Sequence, residues 1–540
     1  MSNGRHFWCC FLFCCRGRNI SNSQVCQRQS APRCRKHATK RYRSMQIMEQ
    51  DFATAGSGAP SVSEDCARKA LPERVPSHWR PRRHFSPARN WMNDPNGMVY
   101  LDGVFHLFFQ YNPGGSVWGD IHWGHAVSRD LLHWQEKPVA LASEPDGLGM
   151  IFSGGAVVDW ENTSGFQRGE NPPVVATFTH HDGNGVQVQS LAISTDGGWR
   201  WEKYADNPVI PNPGIKDFRD PKVFWHASSR RWVMVLAAGD RVHFYRSRDL
   251  KEWEFLGDFG EKAGDHGGVW ECPDLFPLKT PEGEERWCLL VSINPGGSNG
   301  GSATQYFIGD FDGERFVPEH QEVRWLDYGT DNYAGVTWDG LQGRGDRRIL
   351  VGWMSNWDYA NKVPTEIWRG AMTLPRELYL YRDQERLLLG NRPVTEVQVA
   401  RTLHSEGVLE RGKVVQLPGG NALDLSISVG SAPELELEFL AGDGERLLLT
   451  LSRERGVLLL DRRESGWVEE GLGREIRAPL VHSLNHDSEL RVVIDGSAME
   501  IFVDGGKTAL TAVFFSSEPL SRLAVLRAAG LSPAYSLYTI

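Results

Sequence analysis

The sequence predicts an all-β chain, a five-bladed β-propeller followed by a C-terminal β-sandwich, and three observations carry that reading. From about residue 83, short apolar runs recur between Gly, Asp, Asn and Pro clusters, at 97–100, 104–110, 155–158, 174–178, 186–193, 232–237 and 349–353. Runs of this length bounded by turn residues read as strands, and helical periodicity is scarce. A motif of aspartate and tryptophan repeats along the same region. Beyond Leu380 only Trp467 remains of 20 tryptophans, and the pattern changes to alternating strands.

The repeat sets the blades. Ser128-Arg129-Asp130-Leu131-Leu132-His133-Trp134 recurs as Ser247-Arg248-Asp249-Leu250-Lys251-Glu252-Trp253. Related copies are Ser194-Thr195-Asp196 before Trp199 and Trp201, and Gly309-Asp310-Phe311-Asp312-Gly313. The aspartates Asp130, Asp196, Asp249 and Asp312 are 66, 53 and 63 residues apart. Each copy lies between two strands, as a hairpin whose Asp accepts backbone hydrogen bonds while the aromatic packs the outer strand. Units of this length with about four strands each are propeller blades. A first unit at 86–126 and a last one ending near Arg376-Glu377-Leu378 bring the count to about five. Strands at 422–429, 435–440, 447–451 and 490–494, then Met499 to Val503 running into Asp504-Gly505-Gly506, form the sandwich.

The propeller is assigned to 83–385 and the sandwich to 395–540; residues 1–82 are expected to be a leader, disordered or mis-annotated. Its apolar stretch at 7–15 has signal-peptide core length but no small-residue cleavage site after it. Adjacent cysteines beside basic residues suit palmitoylation, and Met45 or Met48 is an alternative start. Without a clear signal peptide a cytoplasmic location is favoured over a secreted one, and no stretch is long and apolar enough to cross a bilayer.

Charge narrows the partners. Net charge is -9, but residues 1–48 hold ten Lys or Arg and no acid, so the body is more acidic still. An acidic body excludes nucleic acid as the main partner and suits a neutral, polyhydroxylated ligand. Six of the nine cysteines fall in the leader, so Cys66, Cys272 and Cys288 provide no disulfide framework.

Three acids stand in tight contexts in different repeats: Asp94 in Asn93-Asp94-Pro95, Asp220 in Phe218-Arg219-Asp220-Pro221, and Glu271 in Trp270-Glu271-Cys272-Pro273. Taken singly, an Asp before Pro is a turn residue. At the ends of innermost strands, all three would meet on the propeller axis. Convergent carboxylates in an aromatic pit are glycosidase equipment, one ionised to attack and one protonated to serve the leaving oxygen. Arg219 would hold Asp220 ionised, and Trp270 would wall Glu271 as an acid.

These runs, with Phe109-Gln110-Tyr111-Asn112-Pro113, His122-Trp123-Gly124-His125-Ala126, Phe152-Ser153-Gly154-Gly155 and Trp353-Met354-Ser355-Asn356-Trp357, resemble glycoside hydrolase family 32, the β-fructofuranosidases, from about His84 to the end. The resemblance implies a propeller-plus-sandwich fold and a retaining double displacement on terminal β-D-fructofuranosyl units of sucrose, levan or inulin. It implies Asp94 as nucleophile, Glu271 as acid/base and Asp220 as transition-state stabiliser, with Asn93, Gln110, Trp118, Phe152, Ser153, Arg219 and Trp353 lining the fructose pocket. Retention requires the catalytic carboxyls to be roughly 5–5.5 Å apart. No cofactor or metal is implied, and the chain has neither His-Glu-x-x-His nor zinc-spaced cysteines. The partner is a small-molecule or polysaccharide fructoside; neither nucleic acid nor membrane is expected, and the oligomeric state is not legible.

Other residues read as structural. Gly296 to Gly301 lacks the Gly-Lys-Ser/Thr ending of a phosphate loop and is a flexible surface loop. His122 and His125 are core histidines, His180-His181-Asp182 is loop surface, and Cys272 is a buried packing thiol. Asn162-Thr163-Ser164 fits a glycosylation sequon. Competing functions are a fructosyltransferase using the same carboxylates, a fructan-binding lectin, and a five-bladed arabinanase.

Overall fold

The computed structural model describes residues 76–341, 347–430, 432–442, 444–485, 487–528 and 532–540. The expected leader lies outside the described residues apart from 76–82, where Trp79 packs edge-on against Phe515 and donates from Nε1 to the Ser516 carbonyl.

Five antiparallel sheets form the propeller. Blade I comprises Asn90–Leu101, Val104–Asn112, His122–Ser128 and Gln135–Leu141; blade II comprises Met150–Val158, Val174–His181, Gln187–Ser194 and Glu202–Lys203. Blade III is Phe218–His226, Arg231–Ala238, Val242–Ser247 and Trp253–Phe259; blade IV is Val269–Lys279, Glu285–Asn294, Ala303–Phe311 and Phe316–Pro318. Blade V is Tyr333–Thr337, Arg348–Trp353, Arg376–Asp383 and Arg386–Pro393. The first strands of the blades touch one another in a closed ring, so each is innermost. A long excursion between the second and third strands of blade V returns to blade I, where Trp368–Arg369 pairs in parallel with Asn90 and Trp91.

The repeated motif is the turn between the third and fourth strands. Asp130 Oδ1 accepts the Leu132 and His133 amides, Asp249 those of Lys251 and Glu252, Asp196 those of Trp199 and Arg200, and Asp312 those of Glu314 and Arg315. The indoles of Trp134, Trp201 and Trp253 close the turn by donating to the carbonyls of Leu131, Gly198 and Leu250. A short carboxylate satisfies several orphan amides at once, which is why one residue type recurs there.

Two six-stranded sheets make the sandwich, ordered 402–408, 534–539, 423–428, 489–495, 498–503, 508–513 and 414–416, 520–528, 434–441, 445–452, 457–461, 475–479. Period-two alternation builds its core: in Glu434–Ala441 Leu435, Leu437 and Phe439 are buried and the intervening residues are not.

Charge, not only apolar surface, joins sandwich to propeller. Arg376 of blade V is fully buried, with Nη1 2.7 Å from Asp327 and Nη2 3.1 Å from Glu500 of the sandwich. His84 bridges Asp495 (2.9 Å) and Glu500 (3.5 Å). Burial alone would lower His84, but the hydrogen bonds to Asp495 and Glu500 carry it up to about 9. Arg462 of the sandwich reaches Asp331 (2.8 Å), Thr330 (2.7 Å) and Tyr359 (3.0 Å). These contacts hold the segment that leads into Tyr333–Thr337, the innermost strand of blade V.

Candidate active site

Every innermost strand is interrupted by a β-bulge near its start. The register slips between Met92 and Pro95, Ile151 and Gly154, Arg219 and Lys222, Glu271 and Asp274, and Tyr333 and Val336, each time setting two residues opposite one. A bulge bends the strand and re-aims side chains, and here five occur at one height around the axis. Pro221 and Pro273 sit within bulges, where no ladder donor is needed. Asp220, Cys272 and Ala334 adopt positive φ (66°, 46° and 53°), a strained conformation for residues with a Cβ. Gly97 has φ 51°, and a Cβ there would come within 2.6 Å of the Trp123 ring.

The bulges open onto a pocket of about 330 Å³ lined by Asn93, Asp94, Gln110, Trp118, Phe152, Ser153, Gln187, Arg219, Asp220, Glu271 and Trp357. Asp94, Asp220 and Glu271, from blades I, III and IV, thus meet in one pit. Asp94 Oδ2 accepts from Ser153 Oγ at 2.6 Å and Oδ1 from Asn93 Nδ2 at 3.0 Å; Asn93 is itself held by Trp91 Nε1 at 2.7 Å. The Cys272 thiol lies 3.5 Å from both Asp94 Oδ2 and Asp220 Oδ2, and its amide donates to Asp220 Oδ2 at 3.0 Å. Burial and neighbouring charge push this thiol well above its ordinary range. It therefore stays protonated, a donor to two carboxylates and not a nucleophile, as well as a packing group.

Arg219 sits otherwise than expected. Its guanidinium straddles Glu271 Oε1, from Nε at 3.1 Å and Nη2 at 2.9 Å, and Nη1 reaches Asp217 at 2.7 Å, whereas Asp220 is 4.0 Å away. Burial raises Asp220, opposed by Arg219 and reinforced by Glu271 and Asp94, up to about 7. Burial likewise raises Asp94, helped by the Glu271 charge and resisted by Ser153, Asn93 and Cys272. Trp270 does not wall Glu271: successive side chains of a strand point to opposite faces, and Trp270 is buried inside blade IV, stacked on His266 with Nε1 on the Asp265 carbonyl. Glu271 instead receives the Tyr333 hydroxyl on Oε2. Burial and the Glu271 charge push that phenol well above its ordinary range, so it remains a donor.

Of the expected pocket residues, Trp353 alone is displaced. It is fully buried on the second strand of blade V, packed against Trp91 (5.8 Å) and Trp357 (4.9 Å), and Trp357 presents the wall in its place. Trp118 is half exposed at the rim, edge-on to Phe152 at 6.3 Å. Gln110 donates to the Ile151 carbonyl at 3.1 Å. Gln187, Trp357 and Tyr333 were missed: spacing does not choose between two tryptophans in one run, and Tyr333 and Gln187 stand beside no acid. Only the repetition of a functional residue at the start of each inner strand could have pointed to Tyr333.

The residues read as structural divide. His125 is buried and stacked on His106 and Phe108, whereas His122, only partly buried, contacts Asp120 and Ser143. His180 and His181 end a strand instead of forming loop surface; His180 is buried and His181 stacks on Phe152 at 4.5 Å, behind the pocket wall. The glycine-rich 296–301 loop is fastened to the sandwich, with Asn299 Nδ2 donating to the carbonyls of Tyr328 and Arg477.

Comparison with known proteins agrees with this architecture. Residues 84–390 match the glycosyl hydrolases family 32 N-terminal domain and 389–536 the glycosyl hydrolases family 32 C terminal domain. The levanase of Bacillus subtilis (strain 168) is 45% identical over 474 residues, covering 84% of this chain and 68% of that protein. The crystal structure of exo-inulinase from Aspergillus awamori superposes with TM-score 0.80 at 35% identity, covering 86% of this chain and 98% of that one. The structure of a fructofuranosidase from Schwanniomyces occidentalis complexed with fructosylnystose superposes with TM-score 0.78 at 29% identity, covering 87% and 99%. With both domain models matched in order over the propeller and the sandwich, this chain belongs to glycoside hydrolase family 32.

Proposed function

We propose that this glycoside hydrolase releases terminal β-D-fructofuranosyl units from sucrose and from levan- or inulin-type fructans by double displacement. The observation that carries the reading is the meeting of Asp94, Asp220 and Glu271 in one small pit. Levanase, exo-inulinase and fructofuranosidase relatives support the substrate class.

Asp94 attacks C2 of the fructosyl unit while Glu271 gives its proton to the departing glycosidic oxygen, leaving a fructosyl ester on Asp94. Glu271, now a carboxylate, takes a proton from water; the water oxygen attacks C2, the ester bond breaks, and fructose leaves with its configuration retained. Ser153, Asn93 and Cys272 keep Asp94 available as a carboxylate. Asp220 holds sugar hydroxyls as positive charge grows on the ring, and Arg219 and Tyr333 fix Glu271 from two sides. An exo preference is supported by the small size of the pit, about 330 Å³, and by the exo-inulinase relative. One step further along the same inner strands, Lys222 pairs with Asp274 at 3.4 Å, and the Thr337 amide donates to Asp274 at 2.7 Å. These contacts floor the pit, so a chain does not thread through it along the propeller axis.

Asp94→Asn tests the reading by fructose release from sucrose, inulin and levan. Loss of turnover by several orders of magnitude on all three is expected; undiminished turnover rules out Asp94. Early oligosaccharides in place of fructose from the intact enzyme would refute exo action.

A further inference from the structure

The axial channel has a second mouth. On the far side of the Lys222–Asp274 floor the later halves of the inner strands enclose a cavity of about 570 Å³, larger than the active-site pocket and within the usual range for small-molecule sites. We propose that this rear cavity is a second saccharide-binding site that takes a short stretch of neutral fructan chain, centred on Trp160, Trp225, Asp339 and Arg348. The proposal rests on the fructoside reading above.

Its aromatic surface is presented, not buried. Trp160 is 60% exposed, the most exposed tryptophan among the described residues. The loop carrying it is rigid, because Asp159, fully buried, accepts four hydrogen bonds of 2.7–3.1 Å from the amides and hydroxyls of Thr163 and Ser164. Thr163 Oγ1 also takes the Trp232 indole at 2.7 Å, and Trp232 packs edge-on against Trp225 at 5.1 Å. A flat ring held at a cavity mouth is a surface on which the C–H face of a furanose packs, and its hydrophobic area is otherwise left in water.

Polar groups complete the site. Arg348 lies over the Phe276 ring at 5.0 Å and makes one long contact, from Nη1 to Thr337 Oγ1 at 3.5 Å. Among the described residues neither Arg348 nor Asp339, both lining the cavity, has an ion-pair partner within 4.0 Å. Burial disfavours the charge on each; opposite charges nearby offset this only in part, and at Asp339 the Val158 and Gly340 amides also donate to the carboxylate. A guanidinium and a carboxylate with spare hydrogen-bonding capacity suit adjacent hydroxyls, which both donate and accept. The front pocket uses the same kit, with Arg219, Asp220 and aromatic walls. Five carboxylates against two cations line the rear cavity, so an anionic ligand is disfavoured and a neutral polyol is not. Because the floor separates the cavities, a chain held at the rear is not cleaved there. It keeps polymer at the enzyme and raises the local concentration of chain ends.

The test is calorimetric titration of the Asp94→Asn enzyme with an inulin-type oligosaccharide, repeated with Trp160→Ala added and with Arg348→Met added. Two sites in the first protein and one in the other two are expected. In enzyme with Asp94 intact, Trp160→Ala leaves sucrose turnover unchanged while KM for inulin rises about three- to tenfold. One site in the first protein, or two in all three, overturns the rear site and leaves the fructoside reading standing. Absence of any binding overturns both.

Discussion

Ser153→Ala removes one hydroxyl and isolates the group that keeps Asp94 ionised. Ser153 Oγ donates to Asp94 Oδ2 at 2.6 Å in a pocket where burial already raises that carboxyl. A hydrogen bond to a charged acceptor is worth about 1.5–3 kcal/mol, which at roughly 1.4 kcal/mol per unit is about 1–2 units of pKa. The bond favours the charged form, so its loss raises Asp94 further, and at a given acidic pH less of the nucleophile is ionised. The acid limb of kcat/KM therefore moves up by about 1–2 pH units, a loss of roughly 10- to 100-fold on that limb. The assay is initial fructose release from sucrose across the acid and neutral range, with thermal unfolding to confirm an intact fold. An acid limb that stays in place while kcat/KM falls evenly at every pH would show that Ser153 does not set the ionisation of Asp94.

Other expectations follow from neighbouring contacts. Three carboxylates share one pit and burial pushes Asp220 up to about 7, so the cluster retains a proton up to about neutral pH; kcat/KM declines as pH rises through about 7, and a rate flat to pH 9 contradicts this. Trp357→Ala opens the pocket wall and raises KM with little loss of stability, whereas Trp353→Ala, fully buried, destabilises by about 3–5 kcal/mol in urea unfolding. His84 is raised from 6.5 to about 9 in the fold, so its contribution is complete below about 6.5 and lost as pH rises through about 9. That is worth on the order of 3 kcal/mol, and His84→Gln should flatten the alkaline fall in Tm. Arg462→Met leaves Asp331 buried without its partner and costs about 3–5 kcal/mol, read in the same unfolding assay.

What was legible in the sequence was whatever a local rule repeats. The Asp130, Asp196, Asp249 and Asp312 turns are one hydrogen-bonding solution used four times, so their spacing revealed the blades. Asp94, Asp220 and Glu271 stood out because proline and aromatic neighbours flanked them, and the pit gathers them from three blades. The bulges were not legible. They depend on pairing between strands, and they decide where Trp270 and Arg219 point. Adjacency therefore misled twice: Trp270 faces away from Glu271, and Arg219 binds Glu271 from the next blade more closely than its own neighbour Asp220. Likewise nothing local distinguishes Trp353 from Trp357, since the difference is a strand against the excursion that follows it. No sequence pattern marks Arg376, Arg462, Asp327, Asp331 and Glu500 as buried charges, because their ion pairs form only where propeller and sandwich meet.

In the proposed double displacement Asp94 carries the fructosyl unit between the two half-reactions. The most direct measurement is peptide mapping by mass spectrometry of Glu271→Gln enzyme quenched during turnover of a fructoside with a good leaving group, which bypasses the acid but not the base. One added fructosyl unit is expected on the peptide containing Asp94, absent when Asp94→Asn is combined with it. A fructosyl unit found on Asp220, or turnover by Glu271→Gln that persists when Asp94 is replaced, would contradict Asp94 as the carrier.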